Sequence, residues 1–290
     1  MLILRFQRFL ARMVRAGRAG RRRKLMDEAA VAADATASGT FDHSNWDGVL
    51  SAHVKPAGTY DVDGVRTSTV DYRAIARDAR FDEYLREIAD ANIASLAPAE
   101  QLALMINAYN ALCIALVVAE YRTHPDAPHP VASITDLKGE GGKSVWDRPA
   151  GVFCGRNISL GELEHKRLRG EWDEPGIHFC IVCASASCPD LRARAYVASG
   201  LAEQMAEQAA SFSANETKGL SWDGATATLS LSKILFWFAD DFGGGAAAAE
   251  LAVDALPDAA PLKGEIARHG RRRRRITYKD YNWTLNAVAA

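Results

Sequence analysis

The sequence predicts an α+β fold: a single domain with a central, largely antiparallel sheet packed with helices. Three features point there. Leu102–Val118 is apolar almost throughout, broken only by Asn107, Tyr109 and Asn110, and a helix that is apolar all round is buried. Tyr60–Tyr72 carries short strand signals on either side of an Asp63-Gly64 turn. Ile177–Cys183 is a nearly continuous apolar run, which reads as a central strand.

The elements follow in order. Residues 1–40 are basic and then Ala-rich, an extension outside the core. Residues 41–287 form the domain. Phe41–Leu50 reads as a helix with Asp42 or Ser44 as its N-cap. After the hairpin, Tyr72–Ala89 and Pro98–Tyr121 read as helices, and Thr123–Gly142 as a Pro/His/Gly-rich loop. Val152–Ile158 reads as a hairpin strand. Ser159-Leu-Gly-Glu162 is a capping box that opens a helix through Arg169. Ser187–Asp190 has the same character, with Pro189 in the first turn of a helix. Tyr196–Phe212 reads as a helix and Thr226–Leu231 as a strand. Ser232–Asp241 and Ala246–Ala259 complete the helical set. No internal repeat and no interdomain linker stands out, so one domain is the expected count.

An apolar share of 48% and a charged share of 24% over 290 residues suit a globular chain with a sizeable core. The net charge of −1 conceals an asymmetry. Residues 1–24 hold nine Lys or Arg and no acid, which leaves a net −10 on the rest. An acidic body is a poor nucleic-acid binder, so no nucleic-acid partner is expected. Near the N-terminus Leu2, Phe6, Phe9 and Leu10 share one helical face and Arg5, Arg8, Arg12 and Arg15 the other. Such a basic amphipathic helix suits an anionic membrane surface; the alternative is a solvated basic arm. Arginines interrupt any signal-peptide core, and no apolar run reaches the ~18 residues of a spanning helix. The expected location is cytoplasmic and at most membrane-peripheral, with export reopened only by a mis-called start codon. The five cysteines are Cys113, Cys154, Cys180, Cys183 and Cys188. An odd number in a chain this size is not a disulfide framework.

Five blocks, in this order, resemble a known family: Ile106-Asn-Ala-Tyr-Asn-Ala-Leu112; Ser159-Leu-Gly-Glu-Leu-Glu-His165 with Leu168-Arg169; Ile177-His-Phe-Cys-Ile-Val-Cys-Ala-Ser-Ala-Ser-Cys-Pro-Asp-Leu191; Leu231-Ser-Lys-Ile234 with Trp237 and Asp240-Asp-Phe-Gly243; and Tyr281-Asn-Trp-Thr-Leu-Asn286. The chain resembles the domain of unknown function 547 family of bacterial and plant proteins. The resemblance implies a shared fold and no activity. Two positions depart from the family pattern: Cys180 stands where a small apolar residue is usual, and Asn282 where Asp is usual.

The chemistry centres on His178–Cys188. With a helix starting near Ser187, Cys188 lies in its first turn, where free N–H groups and the dipole stabilise a thiolate. Cysteine hydrolases and transglutaminase-like enzymes place nucleophiles there, and the expected fold extends to papain- or transglutaminase-like architectures. Cys188 is therefore the first candidate nucleophile and Cys183 the second. On one strand His178 and Cys183, five apart, point to opposite faces about 16 Å apart, so the base is His165 or a folded-back His178. Glu164, Asn107 or Asn110 would orient the ring. The structural alternatives are a core His178, a Glu164 paired with Lys166, Arg167 or Arg169, and Asn107 and Asn110 that tie helix to loop. Trp146, Trp237 and Trp283 read as core aromatics. The leading expectation is a thiol-dependent hydrolase or transferase acting on an amide or thioester. The alternatives are a non-catalytic binding or scaffold domain and a disulfide-exchanging redox protein using Cys183 and Cys188. His178, Cys180, Cys183 and Cys188 lack the paired C-x2-C spacing of structural zinc sites, so no metal and no cofactor is expected.

Overall fold

The computed structural model describes residues 38–269 and 274–289. The basic amphipathic segment and most of the N-terminal extension lie outside the described residues. Helix α1, Ser44–His53, runs into strand β1, Val54–Val62, which pairs antiparallel with β2, Val65–Val70. Asp63 (φ 49°) and Gly64 (φ 79°) join the strands. Two successive positive φ angles match the right-handed strand twist, so Asp-Gly is favoured at this turn. Tyr72–Ala89 breaks in two: one turn at Tyr72–Ile75, then α2 at Ala79–Asp90. Asp71 and Asp78 each cap a piece through a side-chain oxygen, and the second cap restarts the helix on a new axis.

Helix α3, Pro98–Thr123, is the axis of the protein. Every residue from Gln101 to Ile114 is buried. By length and composition this helix could cross a membrane, contrary to the expectation that no segment reaches that size, but its apolar window is 89% buried inside the protein. The interior of the fold takes the place that lipid would fill. Strands β3 (Pro149–Phe153) and β4 (Arg156–Ser159) form a second hairpin, turned at Cys154 and Gly155. Ser159 accepts from the Glu162 N–H and starts Leu160–Glu162. The chain widens into a π-helical stretch at Leu163–Leu168 and closes at Arg169–Glu171.

The C-terminal part contains α4 (Leu201–Ala214), β5 (Ser221–Asp223), β6 (Thr228–Leu231), α5 (Lys233–Trp237), α6 (Gly245–Ala255), α7 (Pro261–His269) and β7 (Arg275–Tyr278). Strand β6 pairs antiparallel with β5 and parallel with β7. The fold is α+β with small, mainly antiparallel sheets. Among the described residues, three separate sheets of two, two and three strands stand where one central sheet was expected. The reason is α3: a helix buried on all sides fills the place at the core's centre that a sheet would occupy.

The largest departure concerns Ile177–Cys183. No strand forms there. Pro175–Phe179 is a 3-10 turn and Cys180–Cys183 is irregular. Burial explains the apolar run: Ile177, Cys180, Ile181 and Val182 enter a core around α3, and Phe179 enters a second core with Phe212, Leu235 and Phe242. The segment is the seam between two cores. Asn110 replaces a sheet ladder, donating to the Cys180 carbonyl (3.0 Å) and accepting from the Val182 N–H (2.9 Å). Asn107 does the same for Tyr196, donating to its carbonyl (2.8 Å) and accepting from its N–H (3.0 Å).

Candidate functional site

No helix starts at Ser187 either. Cys183-Ala-Ser-Ala-Ser-Cys188 is a tight loop, with Ala184 at φ 56° and a Cys188 N–H bond to the Ser185 carbonyl. A positive φ at alanine costs about 1 kcal/mol, so the loop depends on outside support. The C-terminal segment supplies it. Ala186 N–H donates to Thr284 O, Ser187 N–H to Asn282 O, and Asn286 N–H to Ala184 O. Ser187 Oγ accepts in return from the Asn282 N–H. Asn282 Oδ1 accepts from the Thr284 N–H at 2.9 Å. That turn contact needs only an acceptor, so the Asn282 side chain performs the task an Asp would.

The loop brings the two sulfurs together: Cys183 Sγ and Cys188 Sγ lie 2.7 Å apart, both as free cysteines. Cys188 Sγ also accepts from the Cys183 backbone N–H at 2.9 Å. Cys183 Sγ lies 3.0 Å from the Tyr281 hydroxyl and 3.1 Å from Ser185 Oγ. Ser185 Oγ donates to the Tyr281 oxygen. Burial works against a Cys188 thiolate. Hydrogen bonds from Cys183 Sγ, Tyr281 and the Cys183 N–H, with the charge of Lys218 behind them, overcome it and lower the thiol below its ordinary value. Cys183 moves the other way: burial, and its bond to Cys188, hold it well above. The two shifts run in opposite directions, so Cys188 is the more readily ionised thiol of the pair.

Lys218 has no exposed side-chain surface. It donates to Asp190 Oδ1 (2.7 Å) and Thr67 Oγ1 (2.8 Å). Asp190 also accepts from the Ser68 N–H at 2.7 Å. This network clamps the chain two residues beyond Cys188 to strand β2.

The two sulfurs open on a cavity of about 350 Å³, which Glu164, His165 and His178 also line. Cys183, Cys188, Glu164, His165 and His178 thus converge, whereas Asn107 and Asn110 do not orient an imidazole. Both amides are committed to backbone groups, as the tying alternative held. Neither sulfur has a histidine hydrogen-bond partner among the described residues. His178 Nε2 lies 2.9 Å from Asp241 Oδ2, and its ring stacks on Phe238 at 4.1 Å. Burial pushes the Asp241 carboxyl up, but the bonds from His178 and Arg169 prevail and hold it well below the usual carboxylate range. Arg169 also donates to His165 Nδ1 at 2.8 Å. Glu164 pairs with none of its neighbouring cations: Lys166 meets Glu162, Arg167 meets Glu171, Arg169 meets Asp241. Its Oε2 accepts instead from the buried Tyr109 hydroxyl at 3.0 Å.

Trp146, Trp237 and Trp283 line the cavity rather than fill the core, and Trp237 is 43% exposed. The sequence reading also passed over Tyr281, Lys218, Asp190 and Asp241. Tyr281 stood in a quoted block and signalled itself there. Lys218 is a lone lysine with no distinguishing neighbour.

Residues 93–212 match the family described as "Protein of unknown function, DUF547". The match bears out the resemblance read from the sequence. The DUF547 segment holds α3, the Glu164–His165 turn and the Cys183–Cys188 loop. Tyr281, Trp237, Trp283, Lys218 and Asp241, which complete the site, lie beyond it. No curated protein and no solved structure gives a significant match.

Proposed function

We propose that the protein is a thiol–disulfide exchange enzyme whose reactive unit is the Cys183–Cys188 pair. The observation that carries this reading is the 2.7 Å contact of two free sulfurs on one cavity, with Cys188 the more readily ionised of the two. Thiolate attack on a disulfide sulfur needs a stabilised thiolate and a second thiol within bonding reach. Cys188 Sγ⁻ attacks one sulfur of a substrate disulfide; an S–S bond forms to Cys188 and the far half leaves as a thiolate. The Cys183 proton passes to that leaving group. Cys183 Sγ⁻ then attacks Cys188 Sγ, closes the intramolecular disulfide and expels the second half as a thiolate. One substrate disulfide becomes a thiol and a thiolate, the latter protonated by water, and the protein pair is oxidised to its disulfide. An external dithiol returns it to the starting state.

The test is mass spectrometry of the protein with a small disulfide. Wild type loses two hydrogen atoms and gains no adduct. Cys183→Ser accumulates a mixed disulfide on Cys188, and Cys188→Ser reacts at least a hundredfold more slowly. Equal reaction of Cys113, Cys154 or Cys180 would overturn the assignment.

A second reading draws on His178, which lines the same cavity and whose Nε2 lies 2.9 Å from Asp241 Oδ2 behind it. Thiol-dependent acyl transfer would use Cys188 as nucleophile and His178 as base. Cys183→Ser separates the two: acyl transfer survives it, and disulfide turnover does not.

A further inference from the structure

The cavity carries a charge pattern of its own. Among the described residues no Lys or Arg side chain lines it. His165 Nδ1 lies 2.8 Å from the Arg169 guanidinium, which occupies that ring nitrogen. His178 is engaged with Asp241. Glu164 is 8% exposed, and its Oε1 accepts no hydrogen bond among the described residues; the His165 ring nitrogen lies 3.9 Å from it. Around it stands an aromatic wall. Trp146 and Trp283 have ring centroids 6.1 Å apart, Trp283 and Trp237 stack at 5.9 Å, and Tyr281 lies 4.5 Å from Trp283. Aromatic faces are the negative ends of ring quadrupoles and attract cations, most strongly where water is excluded. A half-satisfied carboxylate beside three indoles is complementary to one ligand class.

We propose that the cavity recognises an organic cation, an alkylammonium or guanidinium group, held between Glu164 and the Trp146–Trp283–Trp237 wall. Its apolar stem lies along Ile181 and Val182, which also line the cavity. In the reaction proposed above, on which this substrate class rests, the group positions a disulfide bond over the two sulfurs. The acidic body of the chain, net −10 outside residues 1–24, favours the approach of such a substrate over an anionic one.

Two measurements test recognition and chemistry separately. Rates of oxidation of the Cys183–Cys188 pair are compared for cystamine, bis(2-hydroxyethyl) disulfide and dithiodipropionate at low salt. Each rate is divided by that of a free thiol with the same reagent. The expected order is cationic, neutral, anionic, with cystamine at least tenfold ahead of the neutral reagent and the margin collapsing in Glu164→Gln. Tryptophan fluorescence is then titrated with tetramethylammonium. Saturable quenching in wild type, lost in Trp237→Leu, supports the cation site whatever the fate of the exchange reaction. Exchange without charge preference, and no quenching, would overturn the cation site while leaving thiol exchange standing. Quenching without any exchange would leave the cation site and overturn the reaction.

Discussion

At Cys188 the groups that favour the thiolate come from three stretches of chain: the Cys183 thiol and N–H, the Tyr281 hydroxyl, and Lys218. Each is removable. Alkylation of Cys188 by iodoacetamide is expected to follow a thiol whose pKa lies below 9.0, with Cys183 reacting only at much higher pH. Tyr281→Phe takes away one donor to the charged form and raises that midpoint by about one unit, since a hydrogen bond to a charge contributes roughly 1.5 kcal/mol. An unchanged midpoint would remove Tyr281 from the site. Asn110 works on the backbone instead. Asn110→Ala leaves the Cys180 carbonyl and the Val182 N–H buried without partners, and should lower stability to urea by about 2–4 kcal/mol. A loss below about 0.5 kcal/mol would mean that water replaces the amide.

At the scale of elements, the Cys183–Cys188 loop is a passenger on its supports. A non-glycine residue at positive φ, Ala184, persists because the Asn282–Asn286 segment fastens the loop by backbone bonds. On the far side Lys218, between α4 and β5, ties Asp190 to β2. Lys218→Met leaves the partly buried Asp190 carboxylate without its cation, at a cost of about 3 kcal/mol, and the double variant with Asp190→Asn should regain most of it. A double-mutant cycle in chemical denaturation measures the coupling. The same single change also removes positive charge behind Cys188, so the alkylation midpoint rises. Stability lost with no such rise would show that Lys218 serves the fold alone.

For the whole molecule, buried titratable groups set the response to acid. His43 lies in the core, with Nδ1 2.9 Å from the Tyr84 hydroxyl. Burial outweighs the pull of Asp42 and Asp47 and brings it down to about 4. The unfolded chain binds this proton near pH 6.5 and the folded chain only near 4, so stability falls as pH drops through that window. The loss is about 3 kcal/mol at most. Thermal unfolding of His43→Gln against wild type over pH 4–7 checks it, since the variant's own dependence should be flatter there. Asp241, held below the usual carboxylate range, acts in the opposite sense to a raised group. Its contribution is complete above about pH 4 and is lost only under stronger acid, which separates the two windows.

Local rules in the sequence determined α3, the Asp63-Gly64 hairpin, the Ser159 cap and the Cys183–Cys188 cluster, because periodicity, turn chemistry and clustering are properties of neighbours along the chain. The same rules misread Ile177–Cys183 as a strand: an apolar run records burial, and burial is equally served by an irregular seam whose backbone bonds go to Asn110. They placed Cys188 at a helix start for the same reason, since Ser-Cys-Pro-Asp suits a tight turn as well as a cap. Tertiary structure alone decided what stabilises the thiolate. The donors come from residues 183 and 281 and the charge from residue 218, and no spacing along the chain encodes the folded proximity of groups about a hundred residues apart.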